Sequence, residues 1–486
     1  MNTILVYPDL AYSELQRPAP PYSVLFIADA LQRAGVEVSV FDLRYDSAEA
    51  VVRAVTTYAP DYVGLSVMTG PQIRSALTVA AAIRKAAPAT RLVWGGIHPT
   101  ILPAETLRHP YVDLVIRGDG EQAYRQLVQG MAWPRIPGLA FFHNERICDN
   151  GLAPPTKMTS VSVPWDLVDA RRYVVRGRTS IVTSRGCPYR CAFCYNAMLC
   201  QPWRGWTIQQ CMTEFDRLVA FGAKDLLFFD DAFFTDYARV RNLLPYFRRE
   251  GLLWTAELRV DQLSQTLARE IHEAGCQRLF FGAESGSPRM LRLLNKRITV
   301  SQLLRSAVIT RDAGIRADYS WMVGIPTETP VDRHATIAAI KRMAQLNPAA
   351  EFAIKIYTPY PGTPLYRLAL NERQRMPDSL TGWSRLSRFE APASLPGARQ
   401  LETLALTSAI IGREVMQAMA GPPGAFLQTL ARFRWRYEAF GLPFESVAYH
   451  AITSFLERRQ AGRLAKARFS GARPFAPSRL EETFAR

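Results

Sequence analysis

Three of the chain's seven cysteines fall inside one short stretch, RGCPYRCAFCYN (185–196), where Cys187, Cys191 and Cys194 stand at C-x3-C-x2-C spacing. Thiols this close together point to metal or redox chemistry; in a reducing compartment they read as ligands, not as a disulfide framework. A structural zinc site closes four ligands around its ion, usually as two separated pairs. No second pair is present: Cys200 and Cys211 are neighbours in sequence but lack that spacing. Iron–sulfur clusters are ordinarily held by four thiolates. Three thiolates on a four-iron cluster leave one iron without a protein ligand, and such an iron can chelate a substrate or second cofactor directly.

The cysteine loop follows TSIVTS (179–184), the first of six strand-like runs. The others are DLLFFD (225–230), LWTAEL (253–258), RLFFGAE (278–284), DYSWMVG (318–324) and EFAIKIY (351–357). Amphipathic helical stretches separate them. Four of these stretches end in glycine before the next strand (FGAKD, EGLLW, AGCQR, AGIRA), which suits the left-handed C′ position of a helix. Six β-then-α units with right-handed crossovers predict a partial (β/α)6 TIM-like barrel, with functional groups at the carboxyl ends of its strands.

Upstream, ILVYP (4–8), VEVSVFD (36–42), YVGLSV (62–67), RLVWGG (91–96) and VDLVIRG (112–118) alternate with helical stretches such as SVLFIADALQRAG (23–35), where Ser23 is the expected N-cap, and IRSALTVAAAIRKAA (73–87). This α/β pattern predicts a flavodoxin-like, doubly wound parallel sheet that binds ligands beyond its carboxyl ends, at SVMTG (66–70), GGIHPT (95–100) and RGDGE (117–121). The expected organisation is a ligand-binding domain over 1–135, a linker over 136–175 with an edge-like WDLVDARRY (165–173), the partial barrel over 176–370, and a mostly helical C-terminal region over 371–486.

The cysteine spacing, Phe193 before the last cysteine, and the place after the first strand of a six-unit barrel resemble the radical S-adenosylmethionine (SAM) superfamily. The resemblance implies that a [4Fe–4S] cluster on Cys187, Cys191 and Cys194 binds SAM through its open iron. Once reduced, the cluster cleaves SAM to a 5′-deoxyadenosyl radical that abstracts an unactivated hydrogen. It implies adenine near the backbone of Tyr195, the methionyl ammonium near Asp230 and Asp231 in FFDDAFF (228–234), and the ribose or methionyl end near Glu284 and Ser285 in FFGAESGS (280–287). FFDDAFF departs from the usual Gly-Gly-Glu form, which leaves a helix-capping role open for both aspartates. VGIPTET (323–329) resembles the fifth-strand turn, shaped here by Gly324 and Pro326, that lets backbone approach adenine. Arg259 is expected to meet the SAM carboxylate, a substrate group or an ordinary salt-bridge partner. YPGTPLY (360–366) is expected to be structural.

The N-terminal domain, with PPYSVLFIADAL (20–31), a GG-x-H-P-T turn and a G-D-G-E turn, resembles the cobalamin-binding subgroup of that superfamily, and the resemblance covers roughly residues 1–370. It implies cobalamin held by Ser66, Met68, Thr69, Gly70, Gly95, Gly96, His98, Gly118 and Glu121. The glycines at 95, 96, 118 and 120 would leave room for a planar ligand and its nucleotide tail. No Asp-x-His-x-x-Gly follows ILVYPDLAYSEL, so cobalt is expected to receive no histidine from that position. His98 is expected to contact the tail or phosphate, or to be structural. Val67, Met68 and Gln72 are expected on the lower face.

The function implied is methylation of an unactivated carbon in a small-molecule or lipid-like natural product, through a 5′-deoxyadenosyl radical and methylcobalamin. The alternative is a non-methylating cyclase or rearrangement enzyme of tetrapyrrole or hopanoid type. Residues 1–147 contain no cysteine, which argues against RNA methylthiolation; the intact triad argues against a non-catalytic sensor. The net charge is +16, and residues 431–486 hold eleven Lys or Arg against five Asp or Glu. With Trp435, Tyr437 and Phe440 this basic region suits an amphiphilic or anionic substrate, a peripheral membrane contact, or an amphipathic helix with its arginines outward. An electron donor such as flavodoxin or ferredoxin is implied as partner. No leader or membrane-spanning run is read, so a cytoplasmic location is expected.

Overall fold

Alternate residues of the first strand face opposite helix layers. In β1 (Asn2–Tyr7), Ile4 and Val6 pack with Val51, Val55, Ile73 and Val79 of helices Ala48–Tyr58 and Gln72–Ala86. Leu5 packs instead with Val24, Leu31, Ala123 and Leu127 of helices Tyr22–Gln32 and Gly120–Val128. The same alternation runs through β4 (Arg91–Gly95) and β5 (Leu114–Ile116), so the period of two builds a sheet covered on both faces.

The computed structural model describes residues 2–9, 19–199, 201–371, 376–385, 397–411 and 422–440. Contacts divide the chain into Met1–Ala398 and Arg399–Arg486, so the break comes later than the expected boundary at 370. In the first unit, β2 (Glu37–Asp42), β3 (Tyr62–Ser66), β4 and β5 flank β1 in the order β2-β1-β3-β4-β5, all parallel. That order is flavodoxin-like, with its switch point between β1 and β3.

Two corrections concern the stretch expected as a linker. β6 (Leu139–His143) and β7 (Arg146–Asp149) form a hairpin that adds antiparallel to β5 and makes a seven-stranded sheet. Its turn holds Asn144 and Glu145 at positive φ, as a two-residue hairpin requires. Both strands are short; β7, RICD, has no buried residue and reads as polar loop, whereas β6, LAFFH, buries Leu139, Ala140 and Phe141. WDLVDARRY forms no strand; it makes 3₁₀ turns at Trp165–Leu167 and Ala170–Tyr173, the second capped by Asp169.

The six predicted barrel strands are all present: β8 (Arg178–Ile181), β11 (Asp225–Phe228), β12 (Leu253–Glu257), β13 (Cys276–Glu284), β14 (Arg316–Val323) and β15 (Glu351–Ile356), parallel in the order β15-β14-β13-β12-β11-β8. Between β8 and β11 lies a small antiparallel ribbon of β9 (Ser184–Arg185) and β10 (Arg204–Gly205). The cysteine loop leaves β9, not β8. Gly222, Gly251, Gly275 and Gly314, predicted at helix ends, all adopt positive φ. Phe215, Phe228, Phe233, Phe247 and Trp254 are buried together and anchor the end of β11.

From the break onward the described residues form two helices, Ala398–Ile411 and Pro422–Tyr437, joined where Trp435 Nε1 donates to Thr407 Oγ1 at 3.2 Å. Arg434 is buried and Phe440 packs on Trp435, while Phe433 and Tyr437 are exposed. The arginines therefore do not all face outward. Residues 441–446 of the basic-aromatic run lie outside the described residues. No helix among the described residues is long and apolar enough to cross a membrane.

Candidate active site

The loop carrying the three cysteines is held from every side. Asp231, just past β11, accepts from Gly186 N at 2.9 Å and from Tyr195 Oη at 3.3 Å, so one carboxylate grips both ends of the loop. Ala192 N donates to Leu294 O, and Leu365 N, from the YPGTPLY turn, donates to Ala192 O. Asn295 Nδ2 donates to Arg190 O at 2.7 Å. The Arg259 guanidinium lies 3.9 Å from the Tyr189 ring centroid. Burial pushes all three thiols up, Cys194 to about 11. For Cys191 this is opposed by the nearby Lys296 and Arg259 cations. Ligand thiolates must therefore be drawn out by the metal they bind. Among the described residues no three His, Cys, Asp or Glu side chains are gathered closely enough for a single ion. A four-iron cube takes each thiolate on a different iron, so its three ligands need not converge on one point, and the loop that carries them is tethered at Gly186, Arg190 and Tyr195.

Beside the loop, Glu284 receives a hydrogen bond from Lys296 Nζ at 2.8 Å, both side chains being about a tenth exposed. Burial alone would lower the Lys296 ammonium's pKa; Glu284 and Cys191 more than offset it and hold it raised. Glu284 stands at φ +64°, and a Cβ on Gly282 would sit 2.7 Å from Lys296 Nζ. Glycine at 282 is what lets this pair lie over β13. Arg259 binds Asp261 through Nε and Nη2, both at 3.0 Å, and donates to Lys296 O. Of its expected partners, the structure supplies the salt bridge.

Two expected SAM contacts are turned inward. Asp230 is 2% exposed and accepts from Thr183 N, Thr183 Oγ1 and Ser184 Oγ, so it is a strut under the loop and its oxygens do not face the mouth. Burial raises its pKa, opposed by Arg239 and these hydroxyls. Ser285 is fully buried, sharing a bond with Thr336 Oγ1 and accepting from Ser287 N. Gly324, at positive φ, donates to Glu328, whose buried carboxyl rises to about 7; Pro326 is buried in the same turn.

At the carboxyl ends of the N-terminal sheet the side chains are smaller. Pro21 holds the N-cap position of helix Tyr22–Gln32, so Ser23 lies inside the helix and does not cap it; its Oγ accepts from Ser66 Oγ at 2.8 Å. Met68 is 46% exposed, but Val67 and Gln72 are buried; Gln72 ties Met68 N to Pro8 O. Of the three residues expected on the lower face, only Met68 is presented. Gly70 is buried in the same loop. Gly96 has φ 94° and ψ −170°, a region open essentially to glycine alone. A Cβ there would lie 2.7 Å from Val67 O. Gly96 and Gly118, which would meet Ala153 backbone, are thus required by chain crossing, whereas Gly95 faces open space apart from Ile116 O at 3.7 Å. His98 is 1% exposed; its Nδ1 pairs with Thr69 Oγ1 at 3.2 Å, its ring lies 6.1 Å from that of Trp383, and its Nε2 is buried without a partner. Desolvation lowers its pKa to about 4. Glu121 is spoken for: it accepts from Thr156 Oγ1 and pairs with Arg185 at 2.7 Å.

Residues 10–128 match the B12 binding domain and residues 181–340 the Radical SAM superfamily. The chain is 31% identical over 366 residues to an uncharacterized methyltransferase of Pyrococcus horikoshii, covering 72% of this chain and 78% of that protein. The chain belongs to the cobalamin-binding radical SAM family. It is 26% identical over 402 residues to the anaerobic magnesium-protoporphyrin IX monomethyl ester cyclase of Rubrivivax gelatinosus, covering 76% of this chain and 70% of that one. A solved radical SAM methyltransferase from Kitasatospora setae, with tryptophan and a SAM analogue bound, has the same fold: TM-score 0.65 at 21% identity over 77% of this chain and 76% of that one.

In a cobalamin-binding radical SAM enzyme the pieces above fit their groups. The open Gly95 and the exposed Met68 leave a mostly neutral surface at the strand ends, and beneath it the buried His98 Nε2 has no partner. Lys296, Asn295 and Tyr189 escaped sequence reading. Lys296 is twelve residues from its partner Glu284, and nothing in RLLNKRIT, where it stands beside Asn295 and Arg297, sets it apart from a solvated lysine.

Proposed function

We propose that this family member is a methyltransferase acting at an unactivated carbon of a small-molecule or lipid-like natural product. The observation that carries the reading is the meeting of the two strand-end regions: the turn after β5 is ion-paired to Arg185, two residues before Cys187. In this reading residues 2–149 hold cobalamin and 178–371 hold the cluster and SAM. When bound, these groups supply hydrogen abstraction and a methyl donor. The chain's own work is placement. Cys187, Cys191 and Cys194 hold the cluster, and Asp231 keeps their loop closed. Lys296 and Arg259 offer cations to a carboxylate; Asp231 offers an acceptor to an ammonium; the Gly324 turn and Tyr195 backbone offer groups to adenine. Met68, Gly95 and Thr69 face the corrin side, and the buried His98 supports Thr69 from behind. An electron donor such as flavodoxin or ferredoxin, and a location in the cytoplasm with or without contact at a membrane surface, belong to the same proposal.

The relatives in Pyrococcus and Kitasatospora support methyl transfer; the Rubrivivax relative supports oxidative cyclisation as the second reading. Anaerobic purification from a cobalamin-replete host, with iron, sulfide and cobalamin quantified per chain, tests the shared part. About four irons and one cobalamin without a histidine ligand are expected. Iron without cobalamin, even after reconstitution, overturns methyl transfer. Product mass then separates the readings: methylation adds a methyl, cyclisation removes hydrogen.

A further inference from the structure

The ribbon of β9 and β10 is two residues long on each strand, and its antiparallel register sets Arg185 directly opposite Arg204. A ribbon so short has little stability of its own, and like charges facing each other across strands weaken it further. Both arginines nevertheless are largely buried, at 20% and 13% side-chain exposure. Their counter-charges come from the other sheet. Arg185 Nη1 lies 2.7 Å from Glu121 Oε1 and 3.6 Å from Asp119, and Arg204 Nη2 is ion-paired to Asp119. Thr156 completes the cluster: its N donates to Asp119, its Oγ1 to Glu121, and its carbonyl accepts from Arg204 Nε. Phe26, on the helix after β1, lies between the Arg185 guanidinium at 4.7 Å and the Trp206 ring at 6.0 Å.

We infer that Asp119, Glu121, Arg185 and Arg204 form a clamp that registers the cysteine loop on the N-terminal sheet, so that Asp119 and Glu121 are positioning residues and not cobalamin ligands. The chain gives the clamp leverage: Arg185 is followed by Gly186, held by Asp231, and then by Cys187. A shift of the turn at 118–121 is therefore passed to the first ligand of the triad within two residues. Removing one charge leaves a buried partner unpaired, which is strongly destabilising locally. Resting on the function proposed above, the clamp sets the separation of cobalamin from the cluster.

The test uses the full-length chain with Glu121→Gln, Asp119→Asn, and the conservative Arg185→Lys, each first checked for a cooperative melt. Hydrogen exchange on the metal-free protein comes first. The Gln and Asn variants should exchange amides 184–187 and 204–206 at least tenfold faster, with β3, β4, β13 and β14 unchanged and Arg185→Lys intermediate. Unchanged exchange at the ribbon overturns the clamp, whatever the cofactors do. The loaded protein is then read by pulsed paramagnetic resonance between cobalt(II) and the reduced cluster. Glu121→Gln should keep its iron and cobalamin content yet broaden the distance distribution. Loss of cobalamin with a ribbon unchanged in exchange would make Glu121 a ligand and sink the inference; faster exchange with an unchanged distance would reduce the clamp to a fold-stabilising contact and overturn its positioning role. If wild-type protein binds no cobalamin, the functional proposal falls while the exchange result still decides the clamp.

Discussion

At the carboxyl ends of β3 and β4 the side chains are short or neutral: Ser66, Met68, Thr69 and Gly95, with His98 kept uncharged at neutral pH by burial. At the ends of β11, β12 and β13 charges crowd within reach of the cysteine loop: Asp230, Asp231, Arg259, Asp261, Glu284 and Lys296. Both regions sit where parallel α/β sheets bind ligands, and they differ in the chemistry they present. A mostly uncharged surface suits a large planar group recognised by shape. Paired charges recognise a compact zwitterion, and each must be compensated because burial penalises a lone ion.

The comparison can be broken most severely at the triad. Cys191→Ala should abolish both the cluster and reductive SAM cleavage while leaving cobalamin binding in place; iron analysis and 5′-deoxyadenosine production measure it, and normal production of that nucleoside would refute the cluster assignment. Next comes the buried pair. Glu284→Gln strands the Lys296 ammonium and should lower stability by about 3–5 kcal/mol and weaken SAM binding at least tenfold, with iron content retained; denaturant titration and equilibrium dialysis are the checks. On the neutral side, Gly96→Ala meets both a forbidden backbone region and Val67, and should cost about 1–3 kcal/mol. Cobalamin occupancy should fall and cluster content stay level, the reverse of Cys191→Ala.

The smallest effect is a pH slope. His98 titrates near 4 when folded against about 6.5 unfolded, so the unfolded chain binds the extra proton between these values. Its contribution to stability is complete above about 6.5 and is lost as pH falls toward 4. Glu214 and Glu328, raised by burial to about 7, act oppositely, losing stability as pH rises from about 4.5 to 7. The difference between wild type and His98→Asn isolates the histidine: its stability gap should narrow as pH is lowered from 6.5 to 4. A constant gap would show that His98 is not held neutral by burial.

The cysteine triad, the strand–helix alternation and the four helix-ending glycines were legible in the sequence because each rests on local spacing: ligand separation along a loop, periods of two and 3.6, and one left-handed residue per helix end. Local spacing could not show which way a side chain points. Asp230 and Asp231 are adjacent in sequence, yet one is buried as a strut beneath the loop and the other closes the loop's two ends. Glu121 and Gly96 look like ligand contacts in their turns, but Arg185 and Val67, distant in sequence, claim them. Lys296 is visible only once Glu284 is. Tertiary structure decided these roles because a buried charge or a left-handed backbone must be answered by whatever the fold brings alongside, and that neighbour is not written in the residues on either side.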